Sequence, residues 1–517
     1  MRGGTYGESV KPSISSRALR IFGGWSANIF QLLVSLTQQI VLIPLFLRYW
    51  GSDTLSAWLT LFAAGSLVFA ADAGLHAWTL NQFLSFRAQQ DTDLKAGRYY
   101  RAALPIFVWF AAFLTVLLLI GILSFPPSKV LGFGSEPHFD LEFAVMTVGM
   151  VVTLPVNLAA ALYRASGRYQ RIVNVQTFGM LIAQIGQIVG VVTTGNLLVV
   201  VVAYVVGQIA TTLYILTIDV RRHFPFLKNS GGSESSLRWV VKQFAGALPF
   251  GVMNFTEIGL SYVSILLIGA FVSDRTAIAQ WGLTRTIAAL LRGLSFQMSL
   301  PLAAELGYDH SVGSRDSLNR LYARGSAVLM AFAAATTAGA LAFWQDFFTI
   351  WTHGAVPHNG TLTATLLLGS CVGLPALLAL NYANYSNRGN LLLKTKSLQL
   401  AIFATLSFLL IPPFGPLGAA IALVASDIVA QAGILFSLVA KEVLKRPLAH
   451  ASFLIVGMIV ILVLGWALGG VIRHLVPGMG MVHFLVECAT WLIAMGMVAS
   501  PLLNRAFREK LVAFIPH

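Results

Sequence analysis

Windows of about twenty mostly apolar residues recur from one end of this 517-residue chain to the other, and no other feature narrows the possible folds as far. A helix rising 1.5 Å per residue needs about twenty residues to cross roughly 30 Å of hydrocarbon. Within hydrocarbon the backbone must satisfy its own polar groups, so only helices and closed barrels can span. Continuous apolar runs of this length, without alternation, predict helices. Fourteen spans are predicted, at 22–47, 55–84, 100–124, 141–164, 172–194, 196–218, 245–272, 277–303, 321–345, 361–386, 391–412, 416–440, 451–474 and 481–504. The expected fold is an all-α polytopic membrane protein of about 14 transmembrane helices. Composition agrees, since only 10% of residues are charged where a soluble domain has about a quarter. Pro44, Pro155, Pro249, Pro301 and Pro375 fall inside spans as candidate kinks.

Short-loop Lys and Arg gather on the cytoplasmic side of a membrane. With the N-terminus placed inside, most of the 34 basic residues fall in inward segments, among them Arg87, Arg164, Arg168, Arg171, Arg388, Lys394 and Lys396. Outward loops keep Arg48, Lys129, Arg275 and Arg473. A missed span would invert every later loop, so the alternation predicts both termini in the cytoplasm. It also accounts for the net charge of +14 through anionic lipid headgroups, with no nucleic-acid partner. The first apolar run is read as an uncleaved anchor. Cys371 and Cys488 lie in spans and are read as packing residues, and no metal site or cofactor is expected.

The chain also repeats itself. Residues 149–155 read GMVVTLP and 369–375 read GSCVGLP, and Tyr-x-x-x-Gly follows each, at Tyr163–Gly167 and Tyr385–Gly389. Asn28, Gln31, Ser35 and Gln38 share their spacing with Asn254, Glu257, Ser261 and Ser264. A repeat of six helices, being even in number, keeps both copies in one orientation, as in some secondary transporters. The predicted organisation is an N-terminal lobe at 1–218, a cytoplasmic linker at 219–244 containing SGGSESS, a C-terminal lobe at 245–440, and helices 13 and 14 with a cytoplasmic tail at 441–517.

Spacings of 3, 4 and 7 hold side chains on one helical face. Helices 1 and 7 therefore carry amide and hydroxyl stripes, and helix 5 adds Gln176, Gln184 and Gln187. Such stripes either bond helices together or line an aqueous cavity. Asp72, Glu257, Asp427, Glu487, Arg285 and Arg292 are charges within spans, each needing water, a partner or a ligand. Glu487, near the end of helix 14, can snorkel. Asp72 and His76, at i and i+4, would either share a proton or lock helix 2 to its neighbours.

The stretches FGGWSANIF, RYWGSDTLSAWLTL and DAGLHAWTLNQF resemble the first two helices of bacterial polysaccharide flippases, the O-antigen and exopolysaccharide flippase family of the multidrug/oligosaccharidyl-lipid/polysaccharide exporter superfamily. The matching elements are Gly51 with Trp58, the Asp-x-Gly at Asp72 and Gly74, and the Tyr-x-x-x-Gly loops. Where family members often place a basic residue soon after Asp-x-Gly, the first here is Arg87. The resemblance implies a flippase for surface polysaccharide biosynthesis in the bacterial inner membrane. It would carry a polyprenyl-diphosphate-linked glycan to the outer leaflet by alternating access. Implied partners are membrane lipids and the polysaccharide polymerase and glycosyltransferases of the same pathway.

On that reading Arg285 and Arg292, seven residues apart on one face of helix 8, are two stations for a diphosphate, because Arg forks onto phosphate oxygens. The other reading pairs them with Asp72, Glu257 or Asp427. Asn28, Gln31, Gln38, Gln184, Gln187 and Asn254 would bind substrate hydroxyls, Trp25 or Trp58 would stack on sugars, and Asp72, His76, Glu257 and Asp427 would couple transport to an ion. A cation-coupled drug or toxin antiporter of the same superfamily is the alternative. A polytopic glycosyltransferase or ligase is disfavoured, since its catalytic pair needs a large outward loop and the outward loops here are short.

Overall fold

The computed structural model describes residues 14–72, 74–88, 92–228, 237–312, 314–386, 388–476, 478 and 480–503. SGGSESS and the C-terminal tail lie outside the described residues, as do the side chains of Trp25 and Gln38. Among the described residues the chain is helical with no strand. Its helices are α1 (Ile14–Tyr49), α2 (Ser52–Leu67), α3 (Leu75–Ala88), α4 (Thr92–Ser124), α5 (Pro127–Val130), α6 (Phe139–Val152), α7 (Val156–Ala165), α8 (Tyr169–Thr194), α9 (Leu197–Tyr214) and α10 (Val220–His223). There follow α11 (Leu237–Phe271), α12 (Thr276–Val312), α13 (Arg315–Thr352), α14 (Gly360–Gly373), α15 (Ala376–Tyr385), α16 (Gly389–Phe414), α17 (Pro416–Ser426), α18 (Phe436–Val443), α19 (Pro447–Leu475) and α20 (Met481–Ala499).

Among the described residues twelve helical stretches are long and apolar enough to cross a membrane, and thirteen if the bent pair α14 and α15 is one span. The remaining predicted span corresponds to α12, which carries Arg285 and Arg292 and is not among those stretches.

The chain forms two compact units. One comprises the described parts of Met1–Leu45, Leu75–Ser124 and Ala144–Ala247, and the other those of Phe46–Gly74, Phe125–Phe143 and Leu248–His517. The first is packed around Tyr163, Phe83, Leu158 and Ile172, the second around Tyr322, Tyr382, Leu329 and Leu378. Each unit contains a broken helix at the repeated Leu-Pro. Pro155 has no N–H to continue the helix, and Leu154 N and Val156 N turn instead to Val151 O and Thr153 O, at 3.0 Å each. At Pro375 the corresponding break bends α14 against α15 by 46°.

The glycine that opens each repeated motif is a contact point. A Cβ on Gly149 would meet Val205 Cγ1 at 2.2 Å, and one on Gly369 would meet both methyls of Val424 at 2.3 Å. The tyrosine correspondence is corrected. Tyr385 is 51% exposed, whereas Tyr163 and Tyr382 are fully buried. Tyr163 donates to Asp219, which Arg171 also holds at 2.6 Å, and Tyr382 donates to Glu442 at 3.4 Å, where Arg388 binds. Both units thus close one end with a tyrosine, a carboxylate and an arginine.

The Gly-x-x-x-Gly pairs also mark packing within the chain. Gly465 and Gly469 let α19 approach Ala338 and Ala342 of α13, and Trp491 of α20 donates to Gly465 O at 2.9 Å. Gly186 and Gly190 face Ala203 and Val199 of α9. The same geometry gives a test of the motif glycines. Gly369→Ala should cost about 1–3 kcal/mol through overpacking, seen as a lower thermal midpoint in detergent. Gly121→Ala, with nothing within 4 Å of the added methyl, should leave that midpoint unchanged or raised.

Candidate functional site

Four helical segments of the second unit aim charged side chains into one space. Arg285 and Arg292 lie on one face of α12, about two turns or roughly 10 Å apart. Glu257 comes from α11, Lys396 and Gln399 sit at i and i+3 on α16, and Asp427 and Gln431 lie in the π-helical stretch Asp427–Leu435. Helical insertions of that kind often re-aim side chains at sites.

The contacts close into a ring. Arg292 meets Asp427 Oδ2 at 3.1 Å and Glu257 Oε2 at 3.6 Å. Lys396 Nζ donates to Glu257 Oε1, and to Gln399 Oε1 at 3.0 Å. Gln431 Nε2 donates to Asp427 Oδ1 at 2.8 Å and to Gln399 Oε1 at 3.2 Å, and Gln399 Nε2 also donates to Asp427. Two cations and two carboxylates therefore balance each other.

Arg285 stands apart from that balance. Its guanidinium lies over the ring of Tyr262, 5.3 Å from the centroid, and its Nε is buried without a hydrogen-bond partner. None of the ion pairs among the described residues includes it. Glu257, Arg285, Arg292, Asn384, Lys396 and Asp427 line a cavity of about 530 Å³, whose remaining walls are largely apolar. The cavity carries one uncompensated positive charge.

Lys396 is the principal correction to the sequence reading. Loop counting groups it with Lys394 among cytoplasmic charges, yet both lie within α16, where Lys394 is exposed and Lys396 is 1% exposed. The two are 200° apart on a helix turning 100° per residue, so one faces out and the other in. The signal available in the sequence is the pairing of Lys396 with Gln399 at i+3 inside an otherwise apolar run.

The other predicted site residues have separate surroundings. Asn254 Nδ2 donates to Phe69 O at 3.2 Å. Asn28 accepts from the Tyr169 hydroxyl at 2.9 Å, and Gln184 donates to Val34 O at 3.2 Å, both bonds joining α1 to α8. Gln31 is exposed, whereas Gln187 is fully buried with no partner among the described residues. Trp58 is buried against Phe46.

The expected helical register between Asp72 and His76 is broken. The helix tightens to a 3-10 turn at Val68–Asp72 and turns at Gly74, whose φ is 77°. Asp72 accepts from Gly74 N at 2.8 Å, an Asx turn that holds this break. His76 belongs to the first turn of α3. Its Nδ1 lies 2.9 Å from Asn157 O and its Nε2 3.0 Å from Arg164 Nη1. A carbonyl only accepts and a guanidinium only donates, so the ring is the neutral tautomer with its proton on Nδ1. Arg164, a second residue that loop counting misses, also lies over Tyr169.

Membrane-length helices in two compact units, one enclosing a charged cavity, are arranged as in several solved membrane proteins. No family model and no curated sequence matches the chain, so the likeness is one of fold. The chain is similar to the lipid II flippase MurJ in an inward closed conformation, with a TM-score of 0.69 at 11% identity over 94% of this chain and 100% of the other. An inward-facing multidrug resistance MATE family transporter gives a TM-score of 0.62 at 16% identity, covering 80% of this chain and 96% of that one. A MOP superfamily transporter from Pyrococcus furiosus, described as having a binding pocket of reverse polarity, gives 0.56 at 15% identity, covering 83% and 94%.

The ring makes a thermodynamic prediction. Glu257→Gln leaves the ammonium of Lys396 buried without its carboxylate, a loss of about 3–5 kcal/mol for a broken buried pair. Adding Lys396→Met should recover most of that loss. A double-mutant cycle on thermal midpoints measures it, and additive losses would show that the two side chains do not interact.

Proposed function

We propose that this protein is a flippase that carries a polyprenyl-diphosphate-linked oligosaccharide from the cytoplasmic to the outer leaflet of a bacterial inner membrane. The observation that carries the reading is Arg285, a cation with no carboxylate partner in a cavity whose other charges cancel. Two phosphates with forked acceptor oxygens are the ligand such a guanidinium suits best. The fold shared with a lipid II flippase supports it. The physical need is plain, since each sugar hydroxyl moved into pure hydrocarbon costs about 4–8 kcal/mol while the polyprenyl tail is at home in lipid.

In this mechanism Arg285 takes the diphosphate, while Arg292 is the second station, where a phosphate must exchange with Asp427 or Glu257. A carboxylate released by that exchange is free to accept a proton, which would couple transport to pH through Glu257 and Asp427. Asn254 and the amides of α1 and α8 serve the glycan, and Asp72 and His76 act through the chain break they flank. The polymerase and glycosyltransferases of the same pathway would supply and consume the glycan, and both termini would face the cytoplasm.

A drug or toxin antiporter is the second reading. Its support is Glu257, whose carboxyl side chain is 42% exposed where it lines the cavity, together with the fold shared with MATE transporters.

Flipping of a fluorescent polyprenyl-diphosphate oligosaccharide in proteoliposomes tests the assignment. Charge-assisted hydrogen bonds are worth about 1.5–3 kcal/mol, so Arg285→Ala should reduce binding roughly ten- to a hundredfold. Arg285→Lys should recover only part, because a point charge replaces the fork. Normal flipping by Arg285→Ala, or uptake of a fluorescent cation in its place, would refute the flippase reading. For coupling, Asp427→Asn should flatten the pH dependence of flipping, and Asp72→Asn with His76→Ala should do so only if the break at Gly74 belongs to the proton path.

A further inference from the structure

A second cavity of about 450 Å³ lies at the far end of the second unit's terminal helices, between the C-terminal turns of α13 and α19 and the start of α20. Asp346, Arg473, His483, Phe484 and Glu487 line it, with glycines at its rim. All three helices are candidate membrane spans, so their ends lie at headgroup depth.

Glu487 does not snorkel, although its place near a helix end would allow it. It is 4% exposed, and its only polar partner among the described residues is His483, whose Nε2 stands 3.3 Å from Oε1. His483 in turn packs against Gly478, where a Cβ would fall 2.7 Å from its Nδ1. Arg473 is already neutralised by Asp346. The cavity therefore holds a deeply buried carboxyl group whose one side-chain partner is an imidazole, with its remaining acceptor positions open to a donor. Arg473 gives one of its five N–H donors to Asp346 and retains others for an anionic oxygen.

Outside the cavity the same helices present bare apolar surface. Val471 and Leu475 of α19 and Met481, Val482 and Leu485 of α20 are all more than 40% exposed. A ligand that fits has a primary ammonium, an adjacent phosphate and long apolar chains. We infer that this cavity binds the head group of a phospholipid bearing a primary amine, with its ammonium on Glu487, its phosphate on Arg473 and its acyl chains along α19 and α20. The site uses none of the residues of the transport cavity, so it stands or falls independently of the proposed function.

The full chain in phosphatidylcholine nanodiscs, doped in turn with phosphatidylethanolamine, its mono- and dimethyl derivatives, or phosphatidylglycerol, provides the test. Native mass spectrometry of the extracted protein reads lipid retention. Each N-methyl removes a donor, so retention should fall stepwise from the primary amine to phosphatidylcholine. The preference between those extremes should be roughly tenfold or more, and Glu487→Gln should abolish it. Glycerophosphoethanolamine, which lacks acyl chains, should not displace the lipid. Displacement by it would instead assign the site to soluble amines and overturn the lipid proposal. Equal retention across the methyl series in the unaltered protein would also overturn it, whether or not the Gln variant folds, and so would phosphatidylglycerol retained as well as phosphatidylethanolamine.

Discussion

A charge placed among apolar helices must be matched by another, and that requirement organises the second unit. The insertion cost of about 2.5–3.5 kcal/mol per ionisable residue near a bilayer centre applies to Glu257, Arg292, Lys396 and Asp427 separately. It is met because α11, α12, α16 and the π-helical stretch after α17 each deliver a partner to the same ring. Such a ring contributes little net stability against an apolar replacement. Its effect is on registry: sliding α16 by one residue would turn Lys396 by 100° and leave two carboxylates facing a single arginine.

The repeat supplies scaffold more than chemistry. Both units break a helix at Leu-Pro, admit a neighbouring valine against a motif glycine, and close one end with tyrosine, carboxylate and arginine. The polar filling differs. The first unit joins His76 to Arg164, lays Arg164 over Tyr169 and bonds Tyr169 to Asn28, a chain of neutral groups around one cation, whereas the second builds the four-charge ring.

Hydrophobic run length makes nearly all the helices legible in the sequence, because spanning hydrocarbon imposes one length and one composition wherever it occurs. Glycine and proline spacing locates the helix breaks for the same reason: missing Cβ and N–H groups act locally. Side-chain partners are not legible to the same degree. Helical periodicity correctly puts Arg285 and Arg292 on one face, yet it says nothing of the helices they look towards, so it does not distinguish the paired Arg292 from the unpaired Arg285. Loop counting misplaces Lys396 because it treats a charge near a span boundary as solvated, while burial depends on which side of the helix the residue occupies. Asp72 and His76 fail in a third way. A spacing of four implies a shared face only where the helix continues, and Gly74 ends it.

The unmatched charge of the cavity lined by Arg285 bears on direction. Under the proposed function the empty cavity is positive by one charge, and a diphosphate diester brings roughly one negative charge per phosphate, so while Glu257 and Asp427 stay ionised the loaded cavity is negative by about one. An inside-negative potential acts with about 2.3 kcal/mol per charge per 100 mV. It therefore favours the loaded cavity facing outward and the empty one facing inward, the two steps that a forward cycle requires. Had Arg285 been paired with an acid like Arg292, the empty cavity would be neutral and the voltage would bear only on the loaded step. Had Arg285 been joined by a second free arginine, the loaded cavity would be neutral and the voltage would bear only on the return. One unpaired arginine is the arrangement in which the membrane potential assists both halves of the cycle.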